Sequence, residues 1–405
     1  MAIHHVIGGG TVFHVRPHLA LCAPAYGTLA RSIAGQLREA GEDVRLHLTR
    51  MADPASSLET NDDIARLLDG IVADPGAKMV FLTAALVDYR GRVGDEVGKT
   101  AARLRTAEGE QTMTLVPAAK LAGRIRRERK DLFLVACKTT AGASADAQYL
   151  AGLRLLKTSS ANLVLANDVH SRLSMVITPE QARYHETTVR AEAVAGLVRM
   201  ALARSTNHFT RSTVLPGAPV PWSSPLVPAA LRAVVDHCIA RGAYKPFLDA
   251  TVGHFAVRIG EDRILTSRRK TNFNRLSEVG LVLVEADGDD RVTAHGSRPS
   301  VGGQSQRIVF REHPEEDCIV HFHCPLRPGV PNIPVRSQWA FECGSHECGQ
   351  NTSHGLAPVG PSTKAVMLDR HGPNIVFHHS VDPRVIIDFI EAHFDLGART
   401  DGVTS

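Results

Sequence analysis

Two histidines that are one residue apart, His321 and His323, place the strongest constraint on how this chain can fold. Residues 318–320 before them are apolar and partly β-branched, which predicts a strand. Side chains alternate along a strand, so both imidazoles would lie on one face. With His371, before Gly372, they would form a three-ligand site with an open position, as in catalytic zinc centres. The alternative is that these are unrelated members of the chain's 20 histidines.

Further segments extend this pattern along the chain. Residues 252–258 read VGHFAVR, residues 264–267 read ILTS, residues 313–325 read HPEEDCIVHFHCP, and residues 366–372 read VMLDRHG. In this order they resemble the class II aldolase/adducin family, over roughly residues 228–400. The resemblance implies an α/β domain in which His321, His323 and His371 bind a divalent metal, with Zn²⁺ as the first candidate.

The chain departs from this family where the family carries its acid/base. The family has a Pro-Ser-Ser-Glu segment, whereas residues 299–302 read PSVG, with Gly302 at the Glu position. Glycine cannot transfer a proton, and proton abstraction beside a carbonyl needs a positioned base. The family's phosphate loop is also altered and ends here in three basic residues. These residues, Arg268, Arg269 and Lys270, could hold an anion as charge-assisted donors, with Arg268 or Lys270 as the first candidates. The alternative is a solvated basic turn.

A replacement base is expected in residues 341–352, which read FECGSHECGQNT. This stretch is dense in polar, reactive side chains that are costly to bury unless they serve a site. Glu342 and Glu347 are the candidates for the missing acid/base. Three other groups could instead form a second metal site: Cys343, His346 and Cys348. A polar loop over the site is the third interpretation.

Composition limits the kind of protein. The chain has 405 residues, enough for one to three domains, and its net charge is +4 with 5% aromatic residues. This composition does not indicate a nucleic-acid-binding surface. No stretch approaches the length of a membrane span, and the N-terminus lacks the basic and apolar regions of a signal peptide. Seven cysteines without framework spacing indicate free thiols in a reducing compartment. We therefore expect a cytoplasmic protein without membrane or nucleic-acid partners.

The first 200 residues alternate apolar strands with longer helical patterns. Predicted strands are residues 4–7, 44–48, 79–83, 132–136 and 163–166, and predicted helices are residues 29–40, 64–72, 118–129 and 145–157. This alternation favours a Rossmann-like α/β fold, a parallel sheet with helices on both faces. Residues 216–228 contain five prolines, which favours a stiff segment. We therefore expect a domain at residues 1–205, a Pro-rich linker at 206–228 and a second domain at 229–405.

A glycine run, Gly8-Gly9-Gly10, follows the first predicted strand, where backbone N–H groups can approach phosphates. An ordinary glycine turn is the alternative. Residues 83–90 read TAALVDYR and residues 163–169 read LVLANDV, each at a predicted strand end. In this order the segments resemble the CTP-dependent phosphopantothenoylcysteine synthetase family, the DNA/pantothenate-metabolism flavoprotein group.

This second resemblance implies a nucleotide, CTP with Mg²⁺, whose phosphates lie near the three glycines. Four residues would line the nucleotide pocket: Ala84, Asp88, Asn167 and Asp168. Asp88 could reach the ribose or Mg²⁺, and Asn167 offers both a donor and an acceptor to a pyrimidine edge. For Asn167 and Asp168 the alternative is a turn after the strand.

The chain also departs from the synthetase family. An asparagine that helps to stabilise the family's acyl-cytidylate falls near Ala23, and the lysine cluster is reduced to Lys99 and Arg103. Lys99 could still neutralise charge that develops on a transferring phosphorus, because its stem is flexible. Nucleotide binding is therefore favoured over the standard synthetase reaction.

These observations predict a two-domain enzyme in which both halves can be active. The C-terminal half would use its metal as a Lewis acid in aldolase-type lyase chemistry on a small, phosphorylated carbonyl substrate. One alternative is a CTP-dependent ligase with an accessory aldolase-like domain, and another is a non-catalytic binding or scaffold protein. Fold analogy predicts a homo-oligomer.

Overall fold

The structure is a computed structural model that describes residues 2–288, 290–300, 304–330 and 332–403. It divides into two compact units. The N-terminal unit comprises Met1–Pro179 and Arg183–Ser205, and the C-terminal unit comprises Glu180–Ala182 and Thr206–Ser405. Gly302, the position of the lost acid/base, lies outside the described residues.

The N-terminal unit alternates strands and helices, as the sequence predicts. Its strands are β1 (Ile3–Gly8), β2 (Val12–Arg16), β3 (Leu19–Cys22), β4 (Asp43–Leu48), β5 (Ala77–Leu82), β6 (Tyr89–Arg92), β7 (Thr114–Pro117), β8 (Phe133–Thr140), β9 (Leu163–Asp168), β10 (Ser174–Ile177) and β11 (Arg183–Thr187). Its helices are α1 (Thr28–Glu39), α2 (Asn61–Ala73), α3 (Ala122–Glu128), α4 (Ala145–Ser159) and α5 (Arg190–Arg204).

The main sheet of this unit has the order β11-β10-β9-β8-β5-β1-β4 among the described residues. Strands β4, β1, β5, β8 and β9 run parallel, and β10 and β11 extend the sheet antiparallel. Consecutive residues of the central strands are buried, as expected when helices cover both faces of a parallel sheet. The predicted α/β fold with a parallel sheet is thus confirmed.

Helix α2 shows how the local sequence sets the start of an element. The backbone N–H of Asp63 donates to the side chain of Thr60 (3.2 Å), and the backbone N–H of Thr60 donates to the Asp63 carboxylate (2.8 Å). This reciprocal capping box satisfies two donors that the first turn leaves unpaired. The helix then buries Ile64, Leu68 and Ile71 at helical spacing.

The C-terminal unit is built on a larger, mostly antiparallel sheet. Its strands are β12 (Arg211–Leu215), β13 (Pro246–Phe247), β14 (Ala250–Thr251), β15 (His254–Gly260), β16 (Arg263–Thr266), β17 (Val282–Ala286), β18 (Arg291–His295), β19 (Cys318–His321), β20 (Val335–Arg336), β21 (Ala357–Gly360), β22 (Thr363–Leu368) and β23 (Gly372–Phe377). Its helices are α6 (Ala229–Ala240), α7 (Leu276–Val279), α8 (Gln304–Glu312), α9 (His346–Gly355) and α10 (Pro383–His393).

The sheet order is β12-β18-β17-β16-β15-β19-β23-β22-β20, with β21 paired to β22. Alternate residues of its central strands enter two cores on opposite faces. Phe255, Val320 and Ile375 pack with helices α6 and α10 in one core, whereas Ala256 and Ile319 pack with helix α8 in the other. The end of the second core is where the predicted metal ligands lie.

The segment at residues 206–228, predicted as a linker, belongs to the C-terminal unit. Strand β12 pairs in parallel with β18, and the backbone of Val220 pairs with that of Leu281. Trp222 is buried and its Nε1 donates to Asp236 (2.9 Å). The segment is thus anchored by a strand and an indole ring. In the described part of the chain, no helix has the length and apolar character that crossing a membrane requires.

Candidate metal centre

The three predicted ligands come together at one end of the β19–β23 ladder. His321 is the last residue of β19, and His371 immediately precedes β23, which pairs antiparallel with β19. The strand ends at His321, so His323 lies beyond it rather than within it, but its ring centroid is still 5.1 Å from that of His321. All three side chains are buried. The ladder therefore brings together residues that are far apart in the sequence.

The spacing of the imidazole nitrogens fits a tetrahedral ion. The Nε2 atoms of His321 and His371 lie 3.2 Å apart, and one ligand atom from each of the three histidines lies within 4.8 Å of the others. Two nitrogens bound to one tetrahedral zinc at about 2.0–2.1 Å would be separated by about 3.3 Å. The spacing of His321 and His371 thus suits two ligands of one ion, and His323 lies close enough to be the third.

The protonation state of His321 also suits a ligand. Its Nδ1 lies 2.7 Å from the carbonyl oxygen of Pro373, which can only accept a hydrogen bond. Nδ1 therefore carries the proton, and Nε2 has a free lone pair directed towards His371. Burial lowers the pKa of His321 to about 4, although the bond to Pro373 opposes this shift. The imidazole is neutral near pH 7, which is the form that coordinates metals.

The turn before β23 requires the glycine that follows His371. Gly372 has a φ of 147°, and a Cβ atom there would meet the carbonyl oxygen of Phe322 at 2.1 Å. The backbone at residue 372 can therefore approach Phe322, which lies between His321 and His323, only without a side chain. The position directly after the predicted ligand His371 therefore requires glycine.

A fourth buried imidazole stands beside this centre. His254, the first residue of β15, pairs with His321 across the strands, and their ring centroids are 4.8 Å apart. The Nδ1 atom of His254 contacts the amide Nε2 of Gln306 at 2.9 Å. Burial, followed by the charge of His321, holds the pKa of His254 well below its usual range. His254 is thus a neutral side chain next to the predicted ligands.

A small cavity opens beside these imidazoles. It is lined by His254, His371 and Asn374 on the sheet side and by Cys343, Cys348 and Thr352 on the side of helix α9. Asn374 of β23 is paired with His321, on the side opposite to His254. The cavity therefore borders one of the three predicted ligands, His371, together with polar groups that could contact a substrate.

The two acid/base candidates, Glu342 and Glu347, have different surroundings. Both carboxylate oxygens of Glu347 accept from the backbone N–H of His208, and one also contacts its Nδ1 (2.7 Å). Glu347 is thus held at the first turn of α9, and the hydrogen bonds from His208 lower its pKa against the effect of burial. Glu342 is buried, and its backbone N–H donates to Asn207 (2.7 Å). Neither carboxylate lines the cavity, although the next residue after Glu342 does.

The alternative second metal site in the same loop is not assembled. Among the described residues, the clusters with ligand spacing do not include Cys343, His346 or Cys348. His346 instead contacts Thr210 through Nε2 at 3.0 Å, and the Sγ of Cys348 accepts from Gln338 at 3.3 Å.

The predicted anion-binding residues lie outside the cavity wall. The Nη1 of Arg268 donates to the carbonyl oxygen of Val279 (2.8 Å), which occupies part of its guanidinium. Lys270 is exposed and has a φ of 56°. Between them, Arg269 is exposed as well.

In the N-terminal unit, the glycine turn and the segment after β5 are neighbours. Gly10 pairs with Ala85, and the backbone N–H of Ala85 donates to the carbonyl oxygen of Gly9 (3.0 Å). The N–H of Gly10 donates to Ala25 (2.7 Å), so it is engaged within the protein instead of facing a ligand. Gly8 ends β1, and Ala84 follows β5 directly.

The predicted pocket residues Asn167 and Asp168 lie at the end of β9, on the same edge of the sheet. Strands β8 and β5 separate β9 from β1, a distance of about 14 Å at the usual strand spacing. Asp168 is buried and accepts hydrogen bonds from the backbones of Ser171, Ala143 and His170 and from Thr140. These bonds, that from Ser171 foremost, hold its pKa well below the usual range despite burial.

Asp168 therefore stabilises the turn that follows β9, as the alternative interpretation of the sequence predicts. Asn167 contacts Thr139 at 3.3 Å. Asp88 is exposed and forms an ion pair with Lys120.

A cavity of ≈ 380 Å³ lies in the N-terminal unit beside the start of α2. Of the predicted nucleotide residues and Lys99, only Lys99 lines it. Lys99 forms an ion pair with Glu59 (2.5 Å), and this bond to Lys99 lowers the pKa of Glu59. Asn61, which the sequence analysis did not single out, also lines the cavity and donates to the carbonyl oxygen of Val87 (2.8 Å).

Comparison with known proteins bears on both units. Residues 236–327 match the Class II Aldolase and Adducin N-terminal domain family. L-fuculose 1-phosphate aldolase is similar in structure, with 15% identity and a TM-score of 0.30, over 42% of this chain and 85% of that chain. No curated protein sequence matches the chain.

Two further structures are similar to about half of the chain. One is the DNA/pantothenate metabolism flavoprotein from Streptococcus pneumoniae, with 17% identity and a TM-score of 0.42, over 49% of this chain and 98% of that chain. The other is the C-terminal domain of the coenzyme A biosynthesis bifunctional protein CoaBC, with 16% identity and a TM-score of 0.37, over 50% and 95%. The names of these matches agree with the two resemblances predicted from the sequence.

In the C-terminal unit, the sequence did not predict that His254 and Asn374 lie on either side of His321. His254 appeared only as part of the segment at residues 252–258, without a role of its own, and Asn374 carried no signal. Both acquire their place from the register of the β15, β19 and β23 ladder.

Proposed function

We propose that the C-terminal unit is a divalent-metal enzyme of the aldolase type, with His321, His323 and His371 as the ligands of Zn²⁺ or a similar ion. The observation that carries this proposal is the 3.2 Å separation of the Nε2 atoms of His321 and His371, together with the fixed tautomer of His321. When bound, the ion would supply Lewis acidity to a substrate carbonyl or enediolate. The expected chemistry is carbon–carbon bond cleavage, with dehydration or epimerisation as related reactions.

The other roles follow from the surroundings of each group. Glu342 is the better of the two acid/base candidates, because it adjoins the cavity through Cys343. Arg268 or Lys270 would hold an anionic group of the substrate as charge-assisted donors. The burial of the three histidines would exclude water from the reacting atoms.

Metal content of the purified protein tests this proposal. We expect about one divalent ion per chain in the wild type and a loss of at least tenfold in affinity in the His323→Ala variant, because a ligand is removed. His295→Ala is the matched control, since His295 contacts Glu285 on another strand of the same sheet. An unchanged metal content in His323→Ala would overturn the assignment.

For residues 1–205 we propose nucleotide binding, with CTP and Mg²⁺ as the first candidates. Support comes from the contact of the glycine turn with the segment after β5 and from Lys99 at the N-terminal cavity. Isotope exchange between pyrophosphate and CTP separates a ligase from a binding domain. Exchange that is lost in Lys99→Ala would indicate a CTP-dependent ligase, and CTP binding without exchange would indicate nucleotide binding alone.

A further inference from the structure

We propose that His254 is a catalytic hydrogen-bond donor, whose Nε2–H contacts a substrate oxygen held at the three-histidine centre. This inference rests on the proposed metal site. The ligand class would be a small molecule with two adjacent oxygens, such as an α-hydroxy carbonyl compound or its enediolate. One oxygen would lie at the centre, and the other would lie within reach of His254.

The register of three strands places His254 for this role. His254 of β15, His321 of β19 and Asn374 of β23 are paired side by side across the sheet. Directly paired residues of an antiparallel ladder project from the same face. The sheet therefore presents an imidazole, a ligand imidazole and a carboxamide in one row. The two flanking residues both line the cavity that His371 also lines.

Gln306 sets which nitrogen of His254 carries the proton. The amide Nε2 of Gln306 donates to Nδ1 of His254 at 2.9 Å, and Gln306 is fully buried on α8. A neutral imidazole whose Nδ1 accepts must carry its proton on Nε2. Within the described residues, Nε2 makes no hydrogen bond to the protein. The donor is thus oriented, and the cavity that His254 lines offers a place for its partner.

Such a donor differs from a fourth ligand. With the proton on Nε2, the imidazole has no lone pair to offer an ion, so it would leave the open position to the substrate. It can instead stabilise negative charge that grows on a substrate oxygen, without itself losing a proton. Gln306 acts through His254 and is a positioning residue.

The test uses the full chain loaded with Co²⁺, whose visible spectrum reports on its ligands, and acetohydroxamate as a probe with two adjacent oxygens. We expect His254→Phe to bind Co²⁺ with the wild-type affinity but to bind acetohydroxamate at least tenfold more weakly. His295→Phe serves as the control and should bind both as the wild type does. Circular dichroism and the thermal midpoint establish that each variant is folded.

A second variant tests the tautomer. In Gln306→Glu a carboxylate can only accept, so the proton should move to Nδ1 and acetohydroxamate binding should fall about as much as in His254→Phe. Long-range ¹H–¹⁵N correlations of the imidazole should show Nε2–H in the wild type and Nδ1–H in the variant. A structural role alone would not exchange these signals.

The outcomes are distinguishable. Absence of Co²⁺ binding by the wild type would overturn the metal centre and this inference with it. Co²⁺ binding with equal acetohydroxamate affinity in the wild type and His254→Phe would overturn only the role of His254. If His254→Phe does not fold, an Nδ1–H tautomer in the wild type, or unchanged probe binding in Gln306→Glu, would have the same meaning.

Discussion

The Nε2 atoms of His321 and His371 lie 3.2 Å apart, although 50 positions separate the two residues in the sequence. They meet because β19 and β23 pair antiparallel, so that the end of one strand adjoins the start of the other. The centre therefore depends on strand register. A slip of one residue would turn the side chain of His321 to the opposite face of the sheet.

Removal of the metal is expected to lower thermal stability. An ion that binds only the folded state stabilises it by about 2.7 kcal/mol at a hundredfold excess over its Kd. Chelation of the wild type should lower the thermal unfolding midpoint of the C-terminal unit by roughly 5–10 °C, given the size of that unit. Calorimetry with and without chelator measures this shift. In His371→Ala the chelator should have no effect, and an equal shift there would count against the site.

Gly372→Ala is expected to destabilise the protein by roughly 1–3 kcal/mol or more, because a φ of 147° and the carbonyl oxygen of Phe322 leave no room for a Cβ. Metal affinity should fall as well, since His371 precedes the strained residue. Urea unfolding and metal titration measure the two effects. Gly360→Ala is the matched control, because no neighbouring atom lies within 4 Å of its Cβ position. Equal stability of the two variants would contradict the close approach.

Lys364→Met is expected to cost about 3 kcal/mol near neutral pH, because it leaves the buried carboxylate of Glu316 uncompensated. Burial already raises the pKa of Glu316, and Lys364 opposes that shift. Without the lysine the folded-state pKa should rise further above the unfolded value of about 4.3, so the cost should grow as pH rises above that value.

Urea unfolding of the wild type and of Lys364→Met at acid and neutral pH measures how the free-energy cost of the substitution depends on pH. Lys120→Met removes the exposed pair with Asp88 and should change stability by less than about 1 kcal/mol at any pH. A cost in Lys364→Met that did not vary with pH would exclude Glu316 as its origin.

Asp168→Asn is expected to lower the thermal midpoint at neutral pH. Backbone N–H groups, Ser171 foremost, depress the pKa of this carboxyl in the folded state. Its contribution is therefore fully present above the unfolded pKa of about 3.9 and is lost as pH falls towards the folded value. The difference from the wild type should be largest at pH 6–7 and should narrow below about pH 4. Thermal scans across this range measure it, with Asp88→Asn as an exposed control. A difference that persisted in acid would point to another cause.

Much of the N-terminal unit could be predicted from local patterns. Each predicted strand and helix in the first 200 residues corresponds to an observed element, because apolar periodicity reflects burial directly. The hairpin of β2 and β3 was missed: β3 has no buried residue, and β2 changes from half-buried to buried positions along its length instead of alternating. The turn at Asp168 had two interpretations in the sequence, and its hydrogen bonds favour the structural one.

The sequence by itself determined which side chains could bind a metal, the alternation of strands and helices, and the two family resemblances. These depend on side-chain chemistry and on short periodicities, which are local properties. Only the tertiary structure decided that His254 and Asn374 flank His321, that His208 engages Glu347, and that residues 206–228 join the C-terminal unit. These relationships arise from strand register and from packing between distant segments, and no local pattern in a single sequence encodes them.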